Sequence, residues 1–209
     1  CGTWSNLLIM RRVLLIVPKG AEVFELAAFF DVLGWASAEG SEPIEVVTAG
    51  LDDEITCTFG LRVLPDVLLG DIHVEDFDAL AIPGGFEEYG FYEHAFSDRI
   101  GEVIRAFHGQ SKPIASICVG ALPVAHSGIL ENRCATTYHL SGGHRRRQLA
   151  DYGVDVLDQP IVHDQNIITS TSPATAVDVA LELVEKLTDR ENAETIRRLM
   201  GFGSAAQLS

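Results

Sequence analysis

Two hydrophobic patterns alternate along this chain: short unbroken apolar runs, and longer stretches whose apolar residues recur at helical spacing. Residues 12–18, Arg-Val-Leu-Leu-Ile-Val-Pro, are rich in branched side chains and are closed by Pro18 and Gly20, which predicts a strand buried on both faces. Residues 22–36 carry Val23, Leu26, Ala27, Phe30 and Leu33 on one side, which predicts an amphipathic helix. Further strands are expected at 44–49, 79–83 and 113–117, with helices over 97–109 and from 119 to 127. A terminal helix over 173–187 is expected to open on Ser172 as cap and Pro173 at its first position. Residues 55–64 and 161–169 read as smaller β excursions. Alternating strand and helix implies an α/β fold with a mainly parallel sheet covered by helices on both faces.

The 209 residues suffice for one sizeable domain, placed at 12–200. Residues 1–11 are set aside as an N-terminal extension, with Met10 as a natural start, and 201–209 as a C-terminal tail. The formal charge of −15 repels phosphate backbones and anionic lipid, so neither nucleic acid nor a membrane is expected as a partner. The basic stretch His144 to Arg147 reads as a solvated helix face. No apolar run approaches the roughly 20 residues of a membrane span. The four cysteines, at 1, 57, 118 and 134, lack metal-ligand spacing and suit a reducing cytoplasm. The scattered histidines suggest no metal site, and without a Gly-x-Gly-x-x-Gly or phosphate loop no cofactor is inferred.

In a parallel sheet, ligands bind beyond the carboxyl ends of the strands. Three segments converge there: the turn after the first strand with Glu22 and Glu25, Gly84-Gly85, and Cys118. Cys118 passes from strand into helix with only Gly120 to relieve the turn, so its sulfur is expected near a helix N-terminus and acidic for a thiol. A cysteine among apolar residues can equally be a small core side chain. Glu25, between Phe24 and Leu26, is costly there unless partnered. Protonated, it can donate to a thiolate; ionised, it can act as general base. The backbone N–H groups at Gly84-Gly85 and Val119 suit an oxyanion hole. His126 sits on the helix after Cys118 and reads as a packing residue, whereas His139, in a loop after Tyr138, can reach the pocket.

Lys19-Gly-Ala-Glu-Val-Phe-Glu25, Leu80-Ala-Ile-Pro-Gly-Gly85, Ala115-Ser-Ile-Cys-Val-Gly120, Ala135-Thr-Thr-Tyr-His139 and Ile168-Thr-Ser-Thr-Ser-Pro173 resemble, in order and spacing, the DJ-1/PfpI superfamily, and most closely its DJ-1/ThiJ branch. The resemblance spans about 12–187. It implies a flavodoxin-like three-layer sandwich, a homodimer, Cys118 as oxidisable nucleophile and Glu25 as its protonated hydrogen-bond partner. Gly85 and Val119 become the backbone donors, Asp31 matches an acidic position, and Cys57 falls near a peripheral cysteine. The substrate-binding set is Gly84, Gly85, Val119 and Tyr138, with His139 joining Cys118 and Glu25 as the catalytic candidates.

The resemblance implies a cofactor-independent glyoxalase or deglycase-like enzyme acting on small carbonyl substrates such as 2-oxoaldehydes. The alternatives are a non-catalytic oxidative-stress sensor or chaperone-like protein, and more weakly an isonitrile hydratase or other small-molecule hydrolase. Three departures bear on this. The peptidase branch has histidine directly after the cysteine, where Val119 stands. Isonitrile hydratases carry aspartate at the Glu25 position and threonine at that of Val119. In the DJ-1 branch histidine can follow the Thr-Thr pair, whereas Tyr138 intervenes here before His139.

Overall fold

The computed structural model describes residues 10–203. From the N-terminus, β1 (Arg11–Ile16), α1 (Val23–Glu39) and β2 (Ile44–Gly50) are followed by a small hairpin, β3 (Ile55–Thr56) with β4 (Arg62–Val63), and by β5 (Val67–Leu68). Next come β6 (Ala79–Ile82), α2 (Phe91–Ala95), α3 (Asp98–Gly109), β7 (Ile114–Ser116) and α4 (Ala121–His126). The chain closes with β8 (Cys134–Ala135), α5 (His144–Ala150), β9 (Asp155–Val156), β10 (Ile161–Asp164), β11 (Ile167–Ser170), α6 (Ala176–Leu187) and α7 (Arg190–Leu199).

The main sheet runs β10-β11-β7-β6-β1-β2-β5, and every pairing except β10 with β11 is parallel. Its centre is β7-β6-β1, whose residues 13–16, 79–82 and 114–116 are all buried, as unbroken apolar runs demand. This is the expected α/β sandwich with a mainly parallel sheet. It also sets side by side the carboxyl ends of the three strands that lead to Glu25, Gly84-Gly85 and Cys118.

Several boundaries and faces differ from the sequence reading. Arg11, assigned to the extension, opens β1: its amide donates to the Pro43 carbonyl (3.2 Å) and its guanidinium to Asp78 (3.3 Å). Residues 1–9, and 204–209 of the expected tail, lie outside the described residues. Ser172 precedes a short 3-10 turn and its hydroxyl caps nothing; instead Thr175 Oγ1 donates to the Ser172 carbonyl (2.7 Å). The short α2, α5 and β8 to β9 elements carry too little periodicity to be read from the pattern.

On α1 the buried face is rotated from the expected one. It carries Glu25, Leu26, Ala28, Phe29, Val32, Leu33 and Ala36, while Ala27 is exposed and Phe30 is half exposed at 49%. The helix is apolar nearly all round, so spacing alone does not choose between its two faces. The second face forms, with the β3–β4 hairpin, an apolar groove of about 300 Å³ lined by Leu26, Phe30, Leu61, Val63 and Leu64. Among the described residues no helix is long and apolar enough to cross a membrane.

Candidate active site

The helix α1 begins where Glu22 accepts a hydrogen bond from the Glu25 amide (2.9 Å), which fixes the first turn and points Glu25 inward. The Glu25 side chain is fully buried, and its Oε2 accepts from the Gly84 N–H at 2.6 Å. Only glycine permits that approach. A Cβ at Gly84 would stand 2.7 Å from this same oxygen and 3.0 Å from the Ile117 carbonyl. The two loops are tied further by Glu22 N–H to Gly84 O (2.9 Å) and Phe86 N–H to Gly20 O (3.0 Å). Glu25 Oε1 has no partner of full hydrogen-bond geometry among the described residues, and the Cys118 sulfur lies within side-chain hydrogen-bonding reach of the carboxyl.

Cys118 follows β7 and opens a single 3-10 turn that continues into α4. Its φ of 56° is left-handed, a conformation costing on the order of 1–3 kcal/mol in a non-glycine residue. The sequence reading assigned relief of this turn to Gly120, but Gly120 has an ordinary helical φ of −59°. Gly120 is required instead by packing, since a Cβ there would meet the Ile82 carbonyl at 2.8 Å. The strained residue is Cys118 itself. It is held by Thr137, whose buried Oγ1 donates to the Cys118 carbonyl at 2.8 Å. Thr137 was missed as a site residue, although the Thr136-Thr137 pair within a recognised motif was the signal.

Burial pushes the Glu25 carboxyl up to about 8, opposed by the Gly84 hydrogen bond and helped by the nearby Glu22 charge. Glu25 is therefore protonated at neutral pH. The Cys118 thiol moves the other way from expectation: burial raises it well above its usual value, an ionised Glu25 adds to this, and the Val119 N–H donating toward the sulfur opposes it. An acidic thiol at a helix terminus is thus corrected to a buried thiol coupled to a buried acid. The first proton lost from the pair comes from the carboxyl, and its charge then holds the thiol protonated.

The oxyanion donors separate. Gly84 N–H is taken up by Glu25, whereas Gly85 N–H forms no hydrogen bond among the described residues and Val119 N–H is directed at the sulfur. Tyr138 is half buried against the core; His139 is exposed and forms no hydrogen bond among the described residues. His126 packs as expected, stacked on Phe96 (4.6 Å between centroids) and 3.3 Å from the Tyr152 hydroxyl.

The DJ-1/PfpI family profile matches residues 11–186. The chain belongs to the DJ-1/PfpI family. It is 29% identical to protein dj-1beta of Drosophila melanogaster over 90% of this chain and 95% of that protein. It is 30% identical to the glutathione-independent glyoxalase DJR-1.2 of Caenorhabditis elegans, over 88% of this chain and 92% of that one. The crystal structure of Drosophila DJ-1beta superposes with a TM-score of 0.81 at 28% identity, covering 92% of this chain and 98% of the other.

Within this DJ-1/PfpI chain the remaining cysteines differ from Cys118. Cys57, which falls near a peripheral cysteine of the family, is fully buried, and burial pushes its thiol up to about 11. Cys134 is half buried, its sulfur 3.8 Å from Asp155. The basic stretch also departs from a solvated face. Arg145 keeps only 15% of its side chain exposed, donates to Glu87 at 2.7 Å, and lies over the Tyr92 ring.

A folded-state value of about 8 against an ordinary 4.5 means that between those pH values the folded chain binds a proton which the unfolded chain has released. The stability this contributes is complete below about pH 4.5 and is lost as the pH rises through about 8. The midpoint of urea unfolding is expected to fall across that window, and Glu25→Gln, which keeps an acceptor for Gly84, is expected to flatten the fall. Parallel profiles for the two proteins would show that Glu25 is ionised in the fold.

Proposed function

We propose that this protein is a cofactor-independent glyoxalase acting on small 2-oxoaldehydes such as methylglyoxal, in the cytoplasm. The observation that carries this reading is a buried carboxyl, poised near pH 8, within hydrogen-bonding reach of a nucleophile held on a strained turn. A base whose pKa lies near the working pH is best suited to moving protons in both directions. The relative named a glutathione-independent glyoxalase supports the same chemistry.

In this reading the reacting form is the fraction in which the pair has lost its first proton: the Cys118 sulfur bonds to the aldehyde carbon, its proton passes to the Glu25 carboxylate, and the carbonyl π electrons move to oxygen. Glu25 returns that proton to the oxygen, giving a hemithioacetal and a free carboxylate. The carboxylate then removes the hydrogen on the sulfur-bearing carbon as a proton, and the electron pair moves to the adjacent carbonyl to form an enediolate. The hydroxyl proton on the first carbon's oxygen passes to the oxygen on the second, and delivery of the Glu25 proton to the second carbon then yields a 2-hydroxyacyl thioester on Cys118. Water adds to the thioester, releasing the 2-hydroxy acid and the thiol, so that the net reaction is one water added to one 2-oxoaldehyde. In this reading Gly85 N–H and Val119 N–H hold the oxygen that becomes negative on addition, the latter turning from the sulfur once it is bonded to carbon. Glu25 does this work without the exposed His139.

The homodimer that the resemblance implies would seat a second copy on the groove between α1 and the β3–β4 hairpin, where Leu64 is 73% exposed. Leu64→Glu places a charge in that contact and is expected to yield a monomer by light scattering; an unchanged mass would put the interface elsewhere.

Lactate formation from methylglyoxal is expected to vanish in Cys118→Ala and to fall by roughly 10²–10⁴-fold in Glu25→Gln, the usual range for losing a general base. Turnover that survives Cys118→Ala would refute the covalent route.

A further inference from the structure

The Val119 N–H shares one peptide unit with the Cys118 carbonyl. That unit is planar and trans, so its N–H points away from its C=O, and whatever fixes the oxygen also fixes the aim of the hydrogen. Two donors reach this oxygen. Ala121 N–H belongs to the same turn and moves with it. The Thr137 hydroxyl, at 2.8 Å, comes from outside the turn. Thr137 is fully buried, so water does not compete for the bond.

The segment that carries Thr137 is itself anchored to the sheet. Arg133 donates to the Asp164 carboxylate at 2.8 Å, whose second oxygen accepts from the Cys134 N–H at 2.8 Å. Leu157 N–H donates to the Ala135 carbonyl (2.9 Å) and Thr136 N–H to the Thr169 hydroxyl (2.9 Å). Thr169 lies on β11 in parallel register with Ser116 on β7, just ahead of Cys118. The contacts form a closed ring: β7 to β11, β11 to Thr136, and Thr137 back to the Cys118 carbonyl. The Val119 N–H itself takes no backbone acceptor among the described residues and is directed at the sulfur.

We propose that Thr137 is a positioning residue: its hydroxyl holds the Cys118–Val119 peptide so that the Val119 N–H faces the sulfur and, once a carbonyl carbon is bonded there, the oxygen that becomes negative. The part played during addition rests on the 2-oxoaldehyde reading above; the hold on the peptide does not. With its oxygen pinned, the peptide can carry the N–H through the small arc from sulfur to that oxygen but cannot flip it away. A donor already aimed needs no reorganisation as charge develops, so the bond counts in the transition state rather than in binding. Without the hydroxyl, the Cys118 carbonyl keeps only its partner within the turn, and the plane is free to rock.

The test compares wild type with Thr137→Val, which keeps the shape and removes the hydroxyl, with Thr137→Ala, which removes it without adding a methyl, and with Thr137→Ser, which keeps it. Two readouts are taken: Cys118 alkylation by iodoacetamide against pH, which forms no oxyanion, and turnover of methylglyoxal. Loss of the aimed N–H leaves the thiolate one hydrogen bond fewer, so the labelling curve is expected to move up by about one pH unit in Thr137→Val and Thr137→Ala. Their kcat/KM is expected to fall about tenfold, the scale of one hydrogen bond in a transition state. Thr137→Ser is expected to match wild type in both readouts. Labelling curves of Thr137→Val and Thr137→Ala that superimpose on that of wild type overturn the proposal, whatever turnover does. A Thr137→Ser curve displaced as far as that of Thr137→Val assigns the effect to the lost methyl rather than the hydroxyl, and overturns it too. A labelling shift that Thr137→Ser restores, in a protein whose wild type does not turn over methylglyoxal, upholds the hold on the peptide and refutes the 2-oxoaldehyde reading.

Discussion

The site is organised by one buried carboxyl. Glu25 is fully enclosed, and a charged group there would be very costly without compensation. The fold meets this in two ways: a short hydrogen bond from Gly84 N–H, and a proton retained up to about pH 8. Each fixes a neighbour. Gly84 must lack a side chain so that its amide can reach the carboxyl, and Glu22 must turn the start of α1 so that Glu25 faces inward. The Cys118 sulfur lies within side-chain hydrogen-bonding reach of that carboxyl.

Backbone strain falls on Cys118. Cys118 adopts a left-handed backbone at the end of a central strand, and the Thr137 hydroxyl holds its carbonyl in place. The close packing of Gly120 beneath the β6 carbonyls prevents the turn from relaxing into the sheet. The surrounding sheet is rigid because β1, β6 and β7 are buried on both faces. A strained turn survives on such a support, whereas an exposed loop would relax.

Much of this was legible in the sequence. Unbroken runs such as Val13 to Val17 announced central parallel strands, and the rule that ligands bind beyond strand carboxyl ends brought Glu25, Gly84-Gly85 and Cys118 together before any coordinates. What escaped the reading depends on three-dimensional packing. The face of α1 was misjudged because both its faces are apolar, so Phe29 rather than Phe30 enters the core. The sign of the Cys118 shift was misjudged because the helix terminus was visible in the sequence and the extent of burial was not. Arg145 looked like one member of a solvated basic run, and its place over Tyr92 depends on a contact between segments far apart in the chain. Thr137 lay within a recognised motif, but only the fold shows that its hydroxyl reaches the Cys118 carbonyl.

The central claim is that Glu25 and Cys118 titrate as a pair whose first proton is lost near pH 8. It is tested most directly by following the rate of Cys118 alkylation by iodoacetamide against pH, by peptide mass, in wild type and Glu25→Gln. The account predicts that wild-type labelling stays low through about pH 8, because the first proton leaves the carboxyl and its charge holds the thiol protonated, and that labelling of Glu25→Gln, which lacks that charge, rises at lower pH. Superimposable profiles would contradict it, because Cys118 would then ionise without reference to the carboxyl beside it.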